Sequence, residues 1–478
     1  MDRKFITPLI VACSLFMEAF DSTVIATSLE AIAKDLQQNP LALKLALTSY
    51  LVSQAVFIPA SAWIADKYGA KTVFRLAIAI FITGSVASGS ASSLTEFVMA
   101  RVFQGFGGAM MMPVGRLIVL RSVPRSEMIQ AFAWLSIPAM IGPIMGPPLG
   151  GFITTYFHWR WIFWINVPIG LLGLVLVTIH IRDVKEDDPG TLDVRGFFLA
   201  GIAFSCLILG FTIVSGGFLP LWQVGVLIAT GATALGLFLL HQRRTPNPLL
   251  DLSLLKIGTF RYAIMGGMLF RISVGAVPFL LPLLMQVGFG MTAAQSGMIT
   301  FASAGGSMII KATAPRVLSR FGFRAVLIIC GLAAAGLLAT NSWFTADTPH
   351  YVIFLVLLTS GFFRSLQFTA LNGLAYCEVP RASMSRATSL VAVLQQFATA
   401  AGVAIGAGVV ELTLYSRGGQ HLTASDFAMS FYTVAALTAC SAMVFVTLPK
   451  DAGSEVSGGH GRRNLPKTEN AKDSAAAE

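Results

Sequence analysis

Six ionisable side chains stand deep inside long apolar stretches of the chain: Glu18, Asp21, Arg101, Arg116, Arg271 and Arg364. A charge near the centre of a bilayer costs about 2.5 to 3.5 kcal/mol on insertion scales, so it faces a cavity or a partner. At about 1.5 Å of rise per residue, Asp21 and Arg101 share a depth of roughly 10 to 12 Å, which allows them to pair. Glu18 precedes Asp21 by one helical turn and falls near the midplane, the level that Arg271 and Arg364 also reach. A buried carboxylate beside a guanidinium keeps or releases a proton according to whether the cation stays. Glu18 and Asp21 are therefore candidates for carrying a proton, and Arg101 for coupling to it. Glu18, Arg271, Arg364 and Gln367, one turn from Arg364, are candidates for holding a ligand, with Gln395 and Gln396 in the next apolar run. Arg271 and Arg364 are expected to approach one another across the interface of two halves of the molecule. Two readings stay open for them: they hold an anion, or they only satisfy backbone carbonyls or Glu18. Arg116 suits the interior or, by snorkelling, the nearer membrane surface.

The elements that position these residues follow from composition. Of 478 residues, 55% are hydrophobic and 12% charged, against about 25% charged in soluble domains. The chain reads as an all-α polytopic membrane protein. Apolar runs long enough to cross a bilayer lie at 5–29, 44–65, 72–91, 94–121, 129–157, 160–182, 194–215, 221–241, 259–287, 293–314, 323–343, 350–377, 387–412 and 426–448, fourteen in all. The first run lacks a cleavage pattern and contains Glu18 and Asp21, so it is expected to remain as a helix rather than be removed as a signal. With both termini cytoplasmic, most Lys and Arg fall on that side, and only Lys34, Lys44, Arg160 and Arg417 fall outside. The net charge of +10 is thus topology, and nucleic acid is excluded as a partner. Trp159, Trp161, Trp164, Trp222 and Trp343 are placed as outer interfacial anchors. The five Cys have no paired spacing, so neither a disulfide framework nor a metal site is expected.

An internal repeat divides the chain. A shift of 256 lays Gly105 on Gly361, Val123 to Arg125 on Val379 to Arg381, Gly146 on Gly402 and Gly150 on Gly406. A shift of 253 lays Lys67, Gly69 and Lys71 on Arg320, Gly322 and Arg324. Four regions follow: a six-helix bundle at 1–187, an inserted helix pair and linker at 188–258, a second six-helix bundle at 259–450, and a disordered tail at 451–478.

Two motifs carry a resemblance. Ala62, Asp66, Lys67, Gly69 and Lys71 form an acid, a base, a turn glycine and a second base at a helix end, a charge clamp at the cytoplasmic face. It resembles the major-facilitator gating signature G-x-x-x-D-R/K-x-G-R-R/K, with Ala62 and Ala70 as departures. Gly142, Gly146, Pro147, Gly150 and Gly151 match the antiporter motif G-x-x-x-G-P-x-x-G-G. Clustered glycine allows close helix contact and proline bends a helix, so a kinked, tightly packed seam is expected. With residues 107–113, 243–248 and 277–290, the chain resembles the fourteen-helix drug/proton antiporters of the EmrB/QacA type in the major facilitator superfamily, and within them the MdtD-like members. In the first span, Ala26 and Glu30 replace the family's Asn and Pro, and no role for Glu30 follows from the sequence.

The resemblance implies two six-helix bundles plus two inserted helices. It also implies export of small molecules driven by a proton gradient without a cofactor, and functional roles for Asp21 and Arg101. The expected cargo is amphipathic and drug-like. The alternative is an organic anion such as citrate or its metal chelate, because the buried Arg outnumber the deep acids. A non-transporting membrane sensor on the same fold is a third reading, and an enzyme is not expected because no nucleophile or phosphate loop is present. Membrane lipid surrounds such a protein, the bacterial inner membrane is its expected location, and the sequence leaves open a periplasmic adaptor.

Overall fold

The computed structural model describes the chain except residues 1–2, 124–127, 182, 184, 186–190, 215–218, 246–247, 312, 381–382, 420, 450–451 and 454–478, and describes backbone alone at 3–5, 128–130, 132–133 and 136–139. Within the described residues the regular structure is helical. The first half contains α1 (Arg3–Val24), the short α2 (Leu29–Asp35), α3 (Lys44–Tyr68), α4 (Ala70–Ser90), α5 (Leu94–Ser122), α6 (Met128–Tyr156), α7 (Trp161–Trp164) and α8 (Asn166–His180). The inserted pair is α9 (Val194–Ile213) and α10 (Leu221–Gln242). The second half contains α11 (Gly258–Leu283), α12 (Ala293–Lys311), α13 (Ala314–Thr340), α14 (His350–Tyr376), α15 (Met384–Ser416) and α16 (Ala424–Val446). In hydrocarbon every backbone polar group must be satisfied internally, and apolar runs of this length therefore settle as helices.

Twelve helical segments are long and apolar enough to cross a membrane. To these the fold adds α6, of 29 residues, and α12, of 19 residues, packed against one another and against α1 and α14. The expected kink in α6 is not marked by a break: the helix runs uninterrupted through Pro143, Pro147 and Pro148. The fourteen apolar runs thus correspond to helices, with α7 and α8 sharing one. Of the tail only Ala452 and Gly453 are described, Gly453 set against Phe323, and the repeat positions Pro124, Arg125 and Arg381 lie outside the described residues.

The two halves meet along α3 against α15 and along α6 against α12. Helix α9 lies over the first seam, touching both α3 and α15, while α10 packs mainly on α9. Phe197 against Phe57 and Phe204 against Phe397 mark these contacts. The cores are distributed unevenly along the helix axes. At the face opposite the chain termini, residues of both halves form one core, with Phe20, Val24 and Leu29 joined to Val277, Phe279, Leu280 and Val410. Toward the terminal face the halves keep separate cores, one around Val73, Phe74 and Met111, the other around Phe260, Leu327, Leu371 and Phe445. The molecule is therefore closed at the opposite face and parted at the terminal face.

Candidate transport site

Asp21 is fully buried, and each of its oxygens is occupied. Oδ2 accepts from Arg101 Nη1 at 2.7 Å, and Oδ1 accepts from Gln104 Nε2 and Asn166 Nδ2, both at 2.9 Å. Arg101 Nη1 also donates to Gln104 Oε1 at 2.6 Å, and its guanidinium lies 4.1 Å from the centre of the Tyr50 ring. Asn166 Nδ2 reaches Ser85 Oγ at 3.0 Å. Donors from α5 and α8 thus converge on one carboxylate of α1, backed by Tyr50 of α3 and Ser85 of α4, and the expected pairing of Asp21 with Arg101 is present. A cation–π contact and a charge-assisted hydrogen bond both gain strength where water is excluded. Gln104 and Asn166 are uncharged, and nothing in the sequence pattern marks them as partners.

Glu18 sits one turn nearer the terminal face, half-buried beside the seam. Gln54 Nε2 on α3 donates to Glu18 Oε1 at 2.9 Å and approaches Tyr50 Oη at 3.1 Å. Gln54 Oε1 accepts from Gln396 Nε2 of α15, in the opposite half, at 2.6 Å. A Cβ on Gly108 would stand 2.9 Å from Gln54 Nε2, so this glycine leaves the space the amide occupies. Arg116 is exposed and close enough to Glu18 and to Tyr376 of α14 for their charges to interact. It faces the gap between the halves.

The second half departs from expectation. Arg271 on α11 and Arg364 on α14 both belong to that half, so they do not approach across the interface, and neither bonds to Glu18. Arg271, 4% exposed, donates to Asn372 Oδ1 at 3.3 Å and lies 5.6 Å from the Phe368 ring centre, leaving its buried Nε without a partner. Arg364 donates to Ser303 Oγ of α12. Among the described residues neither has a carboxylate partner. Gln367 is fully buried toward Gly331 of α13, with both amide atoms unpartnered, and does not reach the seam.

The glycine motif packs as a seam. Added Cβ atoms at Gly142, Gly146 and Gly150 would stand 2.9 Å from Phe20 N, 2.9 Å from Thr23 Cβ and 2.5 Å from Val24 O, all on α1. Gly151 and Pro147 turn instead toward Ala293 and Gly297 of α12, in the other half. In the repeat, Gly402 and Gly406 on α15 meet Ala276 of α11 in the same way.

At the terminal face, Asp66 pairs with Arg121 Nη2 of α5 at 2.7 Å, not with Lys67, whose ammonium lies over Trp63 at 4.7 Å. Gly69 has φ +94°, and Asp183 closes over it, accepting from Lys71 N at 3.1 Å and Thr72 Oγ1 at 2.7 Å. Lys71 Nζ donates to Thr178 O near the end of α8 at 2.8 Å. The second half repeats this with Gly322 at φ +73° and Arg324 donating to Val446 O at the end of α16 at 2.6 Å. At the opposite face, Trp159 is buried and donates to Asp35, so it is not an interfacial anchor, whereas Trp222 and Trp343 are exposed. Glu30 occupies the first turn of α2, where an acid complements the helix N-terminus. Lys44, read as an outer loop charge, is buried at the start of α3 and paired with Glu411 of α15 at 2.5 Å.

The sequence profile of the Major Facilitator Superfamily matches residues 11–403 and, separately, 263–473. The chain belongs to the Major Facilitator Superfamily. This superfamily member is 36% identical over 456 residues to the "Putative multidrug resistance protein MdtD" of Klebsiella pneumoniae subsp. pneumoniae, covering 93% of this chain and 95% of that one. It is 34% identical over 460 residues to the protein of the same name in Escherichia coli, covering 94% and 95%. A crystal structure of a D-xylose-proton symporter superposes with a TM-score of 0.66 at 15% identity, covering 94% of this chain and 99% of that one, a likeness of fold. The second profile match, over the C-terminal half, agrees with the repeat seen in the glycines and turns. The superfamily member is a multi-pass membrane transporter of small molecules.

Proposed function

We propose that the chain is a proton-coupled exporter of amphipathic, drug-like molecules that crosses a bacterial inner membrane fourteen times with both termini cytoplasmic, and that it is not an enzyme. The observation that carries this reading is the half-buried Glu18 beside the gap between the halves, one turn from the buried Asp21–Arg101 pair. A carboxylate so placed is accessible to cargo and to protons from the parted face. With that face cytoplasmic, as the distribution of Lys and Arg supports, the structure is the inward-facing state. The names of the MdtD relatives support multidrug cargo. Asp66, Lys67, Gly69 and Lys71 then brace the cytoplasmic ends, and the α6–α1 glycine seam keeps the first half rigid as it rocks.

The test is transport into proteoliposomes with a panel of lipophilic cations, neutral drugs and organic anions, read with an internal pH dye. Cargo uptake with opposite proton movement is expected. Cargo movement without a proton flux overturns the coupling.

One observation favours a second reading. Arg271 and Arg364 lack carboxylate partners among the described residues, and Arg offers a planar fork suited to carboxylates, so an anionic cargo fits the second half. Replacing both by Gln separates the readings: an anion exporter loses uptake, whereas export of lipophilic cations persists.

A further inference from the structure

Four hydrogen bonds join the two halves among the described residues. Three lie at the closed face: Lys44 to Glu411, Gln286 Nε2 to Thr27 O at 3.0 Å, and Ala294 N to Thr155 Oγ1 at 2.9 Å. The fourth, from Gln396 to Gln54, stands at the level of Glu18, at the roof of the gap. We propose that Gln54 is a positioning residue for proton coupling, whose amide ties the charge on Glu18 to closure of the two halves. The proposal rests on the reading of Glu18 as a proton carrier.

Hydrogen-bond polarity makes the tie. An ionised carboxylate only accepts, whereas a primary amide has a donor end and an acceptor end. An ionised Glu18 therefore fixes Gln54 with its NH2 toward α1 and its carbonyl toward the Gln396 NH2 of α15, the arrangement found. Protonated Glu18 brings a donor of its own and removes that orientation, so the bond to α15 is no longer enforced and the roof is free to part. Tyr50, which touches the same NH2 and covers Arg101, extends the line to the buried Asp21 cluster. Gly108 matters because a side chain there would displace the amide. The other titratable or charged groups around Glu18 are Asp21 on its own helix, Tyr50 on α3, and Arg101 and Arg116 on α5. Helices α6 and α8, also packed on α1, carry only Tyr156 and His180, both at helix ends.

The experiment measures opening of the closed face in full-length protein in nanodiscs, by spin-label distances between the halves across a pH series, with cargo-induced proton release measured alongside. Wild type is expected to open on acidification. Gln54→Leu and Gln396→Leu are expected to lose the pH dependence of opening, and Gln396→Asn to recover part of it. Gln396 is half-buried and tests the idea even where Gln54→Leu fails to fold. Loss of pH dependence in Glu18→Gln with its retention in both Leu variants overturns the relay alone. Retention in Glu18→Gln, with normal proton release, overturns the proton-carrier reading beneath it.

Discussion

At the scale of single residues, the Asp21 cluster shows how a charge is kept inside a membrane helix. The carboxylate receives a guanidinium and two amides, and the guanidinium lies against Tyr50. Removing one partner of such a pair leaves an uncompensated buried charge, at a cost of about 3 to 5 kcal/mol, while replacing both by apolar groups is far better tolerated. Asp21→Leu is therefore expected to lower the unfolding temperature in detergent markedly, and Asp21→Leu with Arg101→Met to recover most of that loss. Transport is expected to stay abolished in both. Recovery of transport with stability would make the pair structural only. The pairing was legible because charges in apolar runs are outliers whose depth can be counted. Gln104, Asn166 and Gln54 were not, because an amide perturbs hydropathy little and its partner lies on another helix at a separation no local pattern encodes. Arg271 and Arg364 both lie within the second bundle by position, so no approach across the interface was open to them, and depth along a helix does not give the azimuth that decides which neighbour each one meets.

At the scale of elements, glycine spacing proved the most readable feature, because a missing side chain fixes which helix face accepts a neighbour. Gly142, Gly146 and Gly150 recur every fourth residue and mark the face of α6 laid on α1. Gly146→Val, and by the repeat Gly402→Val, are each expected to cost about 1 to 3 kcal/mol from overpacking, read as lowered thermal stability and transport. An unchanged unfolding temperature for either would show that the seam tolerates separation. The inserted pair is tied at the terminal face by Asp193, which caps α9 through Gly196 N, bonds His241 of α10 at 2.7 Å and accepts from Leu249 N. Burial alone would raise its pKa, but these three bonds outweigh it and hold the carboxyl below the usual range. Because the folded value is depressed, the stabilisation is present above the ordinary carboxylate pKa of about 3.9 and is lost as pH falls through the folded value. Asp193→Ala is expected to cost about 0.5 to 2 kcal/mol, as for other lost caps, at neutral pH. The difference from wild type should narrow in acid, and a constant difference across pH would refute the linkage. Such a cluster was not legible, since its members come from α9, α10 and the linker.

At the scale of the whole molecule, the two-halves architecture was readable from the repeat, but the state of the machine was not, because the same sequence must build both ends of the cycle. What holds the present state is concentrated at the closed face, in the shared apolar core and in the Lys44–Glu411 pair. Lys44 is buried completely, and only 12% of the Glu411 side chain is exposed. In the closed state, Glu411→Gln takes a charged partner from an ammonium held away from water, whereas in an opened state that ammonium is hydrated. The substitution therefore penalises closure selectively, and each 1.4 kcal/mol of penalty moves the open-to-closed ratio about tenfold. A cysteine placed at Thr27, buried beside Gln286 in the closed face, is expected to react several-fold faster with an impermeant maleimide applied from outside in the Glu411→Gln background. The charge reversal, Lys44→Glu with Glu411→Lys, restores the attraction and should return the labelling toward the wild-type rate. If Glu411→Gln labels no faster than wild type, the apolar core and the remaining hydrogen bonds hold the face shut and the ion pair is incidental to gating.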